Sequence, residues 1–358
     1  MTGWRTRGLC LVAAGALIVL VAACTGSSGS SGPPSAGRSG AAGSGGSAAS
    51  PGQIGPALSG SGSGGSDGAA ALAEGECLDS GSFAAFDWTA AAVSCDQPHT
   101  VEVFGVLEVS SEFPTASYAS ITDDNGDQRN GFVGLTQQAC TAKLSAYSGG
   151  AALLPKDASP TASVVPYFYG AYNAAPVPAA SWNAGDKRVA CYATFGAHGS
   201  DEGDIKVSGN FLKTFWTAPA TNLDARFCQV TLTVSSVSCA DAHDQEYLGQ
   251  YFAQDYSTRA GFDTKTLKAF DVATATDAQW APYDQLCEQE FGALLGSGTR
   301  TDVGIVATTD TSAEYWGLDG SYAFQCVASP QVGYVKGSLI GIGDSPLPTA
   351  PTPSPSTS

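Results

Sequence analysis

Two stretches of this 358-residue chain carry the same reactive residue types at the same spacing. Residues 93–105 read "VSCDQPHTVEVFG" and residues 237–249 read "VSCADAHDQEYLG", so both follow V-S-C-x3-H-x2-E-x2-G. Cys95, His99 and Glu102 match Cys239, His243 and Glu246, and these blocks hold two of the chain's three histidines. An imidazole beside a carboxylate could move a proton, and with a thiolate it could hold a metal. The spacing opposes both uses. On a strand, residues three apart point to opposite faces, so only a turn at Pro98 would bring His99 and Glu102 together. A zinc centre needs at least three protein ligands, and residues 74–344 have no HExxH, no C-x-x-C and no G-x-S-x-G elbow. The alternative is architecture, in which the histidine bonds backbone beside a disulfide and fixes the entry into a strand. The glutamates would then face solvent or pair locally. The reading is therefore no catalytic residue, no metal and no cofactor, with His99, Glu102, His243 and Glu246 as the one candidate functional surface.

The elements that position these blocks are also duplicated. An earlier cysteine precedes each block, Cys77 or Cys228, and a later one follows in a helical pattern. There Cys140, Leu144 and Tyr147 match Cys287, Phe291 and Leu294, each set at i, i+4, i+7. Trp182 precedes Cys191 as Trp316 precedes Cys326, and "VSGNFL" (207–212) is echoed by "VKGSLI" (335–340). In "VEVFGVLEV", Val101, Val103, Leu107 and Val109 alternate with Glu102 and Glu108, which indicates a strand. The expected fold class is α+β. It has two tandem homologous modules, 74–214 and 222–344, each a small mainly antiparallel sheet with one cysteine-bearing helix and two disulfides. Four cysteines per module allow three connectivities. The favoured one joins first to second and third to fourth: Cys77–Cys95, Cys140–Cys191, Cys228–Cys239 and Cys287–Cys326. The connecting segment, 213–226, is short and partly apolar, so the modules are expected to pack on each other.

The ends of the chain are of another kind. Arg5 and Arg7 precede the apolar run 9–23, of signal-peptide length and too short to span a bilayer comfortably. The run closes on Val21-Ala22-Ala23-Cys24, which resembles the lipobox of bacterial lipoproteins. That resemblance implies removal of 1–23, lipid on the Cys24 thiol, and attachment to the outer face of the cell membrane. Residues 24–73, almost entirely Gly, Ser, Ala and Pro, read as a disordered tether with a reach of roughly 35–42 Å. Residues 345–358 read as a disordered Ser/Thr/Pro tail. Eight cysteines in an exported domain suit four disulfides. A formal charge of −17 argues against nucleic acid as a partner.

The pattern as a whole resembles the septum formation domain of actinobacterial lipoproteins and membrane proteins. The residues that carry it are Gly75-Glu76-Cys77, the run 95–103 with Pro98 and His99, Cys140, Trp182, Gly185, Cys191 and Gly337-Ser338. The second copy departs from it, with Ala242 in place of the proline, Tyr247 in place of a valine and no "GxC" before Cys228. The resemblance implies a role in cell division or the envelope. The expected protein is a non-enzymatic, membrane-anchored binding or scaffold module whose partner is a cell-wall component or an envelope or division protein. The alternative is a wall-directed hydrolase using a His/acid site. Three further motifs read as structural. His198 lies in a polar loop, Asp123, Asn125 and Asp127 mark a solvated turn rather than a calcium loop, and Trp182 and Trp316 pack in the core beside a disulfide.

Overall fold

In the computed structural model the described residues are 72–80, 86–123, 127–156, 158–196, 205–231, 235–296, 300–309, 322–331 and 333–353. The signal segment, Cys24, the tether as far as residue 71, Asn125, His198 and Trp316 lie outside them.

The first half contributes β1 (Cys77–Leu78), β2 (Ala92–Val93), β3 (Val101–Glu108), β4 (Val164–Val165), β5 (Gly170–Pro176) and β6 (Arg188–Phe195). Its helices are α1 (Tyr118–Thr122), α2 (Asp127–Ser148), α3 (Ala179–Asn183) and α4 (Phe211–Thr214). The second half contributes β7 (Cys228–Val230), β8 (Ser235–Val237), β9 (Gln245–Phe252), β10 (Val303–Thr308), β11 (Ala323–Pro330), β12 (Tyr334–Val335) and β13 (Thr349–Ala350), with α5 (Thr264–Ala269) and α6 (Asp277–Phe291). The class is α+β, and every strand pairing is antiparallel.

One sheet runs β2-β1-β3-β6-β5 and the other β8-β7-β9-β11-β10, so the corresponding strands take the same order. Both long central strands are irregular at the same place. The register of β3 against β6 shifts between Val103 and Gly105, and that of β9 against β11 shifts opposite Gly249. Cys140 on α2 is joined to Cys191 on β6, and Cys287 on α6 to Cys326 on β11. Cys77–Cys95 and Cys228–Cys239 close the loops that lead into β3 and β9. Each bridged pair has its Cα atoms 5.2–5.3 Å apart. The helix faces expected around these cysteines are buried at Cys140, Leu144, Cys287 and Phe291. Leu294 lies beyond the end of α6, in a 3-10 turn.

The two halves share one apolar core. It runs from Phe104, Leu144 and Phe211 through Phe215 and Trp216 to Leu248, Tyr251 and Phe324. A strap joins them as well. Val164 and Val165 pair with Tyr251 and Gln250 of β9, Phe168 bridges Arg226, and the chain then enters β5 beside β6. Trp216 adds an indole N–H to the Leu248 carbonyl at 2.9 Å. Gly249 admits this approach, since a Cβ there would stand 2.6 Å from the Phe291 ring and 2.9 Å from the Val165 carbonyl oxygen. A second apolar cluster, with Phe86, Trp88, Phe132 and Trp182, covers the other face of the first sheet.

One boundary differs from the composition-based reading. Thr349–Ala350 lies in the segment expected as a disordered tail, yet it forms β13 against β12, and Lys336 donates its N–H to the Pro348 carbonyl. Prolines are tolerated on a two-stranded edge because the unpaired side needs no N–H.

Candidate functional site

Both repeated blocks lead out of a disulfide loop into a central strand. His99 exchanges two backbone hydrogen bonds with Val207, at 2.9 and 3.0 Å, and His243 does the same with Val335, at 3.0 and 2.8 Å. The carbonyl of Cys95 accepts from Gly209 N at 2.6 Å, and that of Cys239 from Gly337 N at 2.7 Å. The "VSGNFL" and "VKGSLI" segments are thus each fastened to a cysteine–histidine block. The imidazoles continue the pattern. His99 Nδ1 is 2.9 Å from the Gln97 carbonyl, and His243 Nδ1 is 2.8 Å from the Asp241 carbonyl. A carbonyl only accepts, so Nδ1 carries the proton in both rings.

The glutamates finish the fastening. Glu102 Oε2 accepts from Leu212 N at 3.1 Å, and Oε1 accepts from Phe211 N, at the start of α4. Glu246 accepts from Ser338 Oγ at 2.6 Å and from Leu339 N. His99, Glu102, His243 and Glu246 are all fully buried. Buried groups present no functional surface, and of the two placements expected for the glutamates, facing solvent or pairing locally, they take the second. Alternation predicts a wet face only where one side of the sheet is open. Here the closing segment lies over that side, and its free N–H groups require a buried acceptor. His99 and Glu102 do meet, with Nε2 3.4 Å from Oε1. Burial pushes the Glu102 carboxyl up, against the opposing effects of His99 and the two amides.

The second block holds a residue that the repeat pattern did not flag. Arg226 is buried, with Nη1 3.7 Å from Glu246 Oε1 and its guanidinium 4.3 Å from the centre of the Phe215 ring. Nη2 donates to the Phe215 carbonyl. Burial lowers its pKa to about 10, although Glu246 acts in the other direction. The first half has Gly75 at this place, two residues before its cysteine. A lone arginine in "LDARFC" was the only signal available.

A separate buried acid lies where the halves meet. Glu290 of α6 accepts from the Tyr256 hydroxyl, its other oxygen has no hydrogen-bond partner among the described residues, and burial raises its pKa to about 8. Asp255, beside Tyr256, is raised to about 6, chiefly by burial, and its carbonyl accepts from Ser159 N of the first half at 3.2 Å.

The remaining candidates are structural where they are described. Trp182 is buried, donates to the Ala116 carbonyl at 2.8 Å and packs edge-on against Phe132. Lys187 Nζ lies 4.5 Å over its ring. Asp123 caps α1, whereas Asp127 opens α2. Among the described residues no group of three or more His, Cys, Asp or Glu side chains converges as a metal site. No described helix is long and apolar enough to cross a membrane.

No curated protein and no solved structure matches the chain. One family description, septum formation, matches residues 74–326 in a single span that takes in the first sheet, most of the second and all four disulfides. The chain belongs to the septum formation family.

Proposed function

We propose that the protein is a non-enzymatic envelope lipoprotein of the actinobacterial type, held by lipid on Cys24 at the outer face of the cell membrane. It acts as a binding or scaffold module in envelope growth or septum formation, and its partner is a wall component or an envelope or division protein. The family match over 74–326 carries the septal or envelope part of this reading, and the sequence of residues 5–24 supports the anchor. The repeated His/Glu positions support it from the chemistry. All four are buried; each imidazole donates Nδ1–H to a carbonyl two residues earlier in its own block, and each carboxylate accepts from the backbone of the closing segment, so neither group is presented to a substrate. The matching strand orders and fastenings support an internal duplication, with copies at 74–214 and 222–344.

A fluorescent fusion tests the reading. The wild-type chain should fractionate with membranes and gather at division sites, and Cys24→Ala should release it. A wild type free of membranes would refute the anchor, and a uniform distribution would refute the septal role. His99→Ala and His243→Ala should change stability only. Loss of wall-fragment turnover in a folded variant would instead establish a hydrolase.

A further inference from the structure

The end of α6 and the first half of β10 border a cleft of about 290 Å3, lined by Glu288, Gly292, Leu295, Arg300, Val303 and Ile305. β10 is the last strand of its sheet and pairs only with β11 among the described residues. Its sequence, "VGIVAT", holds no charge and no proline, two of the usual protections of an edge, and α6 covers it at Ala307.

The phase of the edge follows from one bond. Ala307 N donates to Asp284 Oδ1 on α6 at 2.8 Å, so Ala307 turns its N–H away from β11. Residues two and four earlier on an antiparallel strand share that direction. The N–H and C=O of Ile305 and Val303 therefore also face away from β11. Pro330, opposite Val303, suits this phase because it has no N–H to offer. Asp284 occupies one outward N–H. One helical turn later Glu288 flanks the cleft itself, beside Val303 and Ile305.

The charges select the ligand. Arg300 is already committed: its Nε and Nη2 bind Asp302 at 2.9 and 2.8 Å, and its Nη1 binds the carbonyls of Gly343 and Ser345 at 2.6 and 2.7 Å. Glu288 is exposed and has no ion pair among the described residues. The free charge of the cleft is thus negative.

We propose that this cleft binds a short extended peptide segment of a partner protein carrying a lysine or arginine. The segment adds to the β10 edge through Ile305, sets an apolar side chain on Leu295 and Val303, and brings its cation to Glu288. This inference stands apart from the envelope role, since it rests only on the edge, the cleft and its charge.

The test is an NMR titration of the isotope-labelled full chain with two probes, acetyl-Val-Lys-Val-amide and acetyl-Val-Glu-Val-amide. The lysine probe should give saturable shifts at the Val303 and Ile305 amides, with binding roughly two- to fivefold tighter than the glutamate probe, as for an exposed charge pair. Glu288→Lys, an exposed change that leaves the core untouched, should reverse the preference. Three outcomes would overturn the proposal: no saturable shift up to about 10 mM of the lysine probe, shifts confined to another surface, or equal binding of both probes.

Discussion

Glu290→Gln isolates one pH effect built into the core. The wild-type carboxyl has its pKa raised from 4.5 to about 8 by burial. Between those values the folded state holds a proton that the unfolded chain has already released. Stability from this group is therefore complete below about pH 4.5, falls as pH rises, and stops falling above about 8. One pKa unit corresponds to about 1.4 kcal/mol, so the whole window amounts to a ceiling on the order of 5 kcal/mol. Glutamine retains an oxygen for the Tyr256 hydroxyl and removes the titration. Asp255 titrates in the same sense but stops near 6, so its contribution is nearly spent by pH 7. Urea unfolding with disulfides intact, at pH 5.5, 7 and 8.5, provides the assay. The wild type should lose stability relative to Glu290→Gln throughout, since the other titrating groups are common to both proteins and cancel in the difference. Parallel profiles for the two proteins would refute the assignment of a buried, protonated Glu290.

Two further perturbations separate the halves. Glu246→Gln leaves the buried Arg226 guanidinium without its carboxylate and should cost about 3–5 kcal/mol. Glu102→Gln, which strands no arginine, should cost less, and equal urea midpoints for the two variants would contradict the role given to Arg226. Gly249→Ala forces a methyl against the Phe291 ring and the Val165 carbonyl and should destabilise by about 1–3 kcal/mol. Gly304→Ala, where the nearest atom is 4.0 Å away, should be neutral or stabilise by up to about 1 kcal/mol, as thermal midpoints will show.

Much of this architecture was legible because one residue spacing occurs twice in the sequence. Two copies of a C-x3-H-x2-E spacing, each flanked by the same cysteines, located the strand entries, the cysteine-bearing helices and the favoured disulfide pairing. The burial of Glu102 and Glu246 was not legible. Period-two alternation tells which residues share a face, but it cannot tell that a distant segment such as 207–212 will cover that face. The strap was hidden for a similar reason. Val164-Val165 is too short to register as a strand, and its partner in β9 lies more than eighty residues away. Arg226 stood outside the repeat, opposite a glycine, so comparison of the copies passed over it.

The order of the bridges bears on how such a chain matures. Counting from Cys77, the cysteines are joined in consecutive pairs along the sequence: first to second, third to fourth, fifth to sixth, seventh to eighth. For a polypeptide that crosses a membrane N-terminus first, the correct partner of each waiting thiol is the next to emerge. An oxidant that joins thiols as they appear reaches the native set without a reshuffling enzyme. The strap imposes the opposite schedule on hydrogen bonding, because Val164 and Val165 must wait for Gln250 and Tyr251. In the exported chain proposed above, covalent closure would follow translocation step by step, while completion of the shared core would come only after most of the second half has arrived.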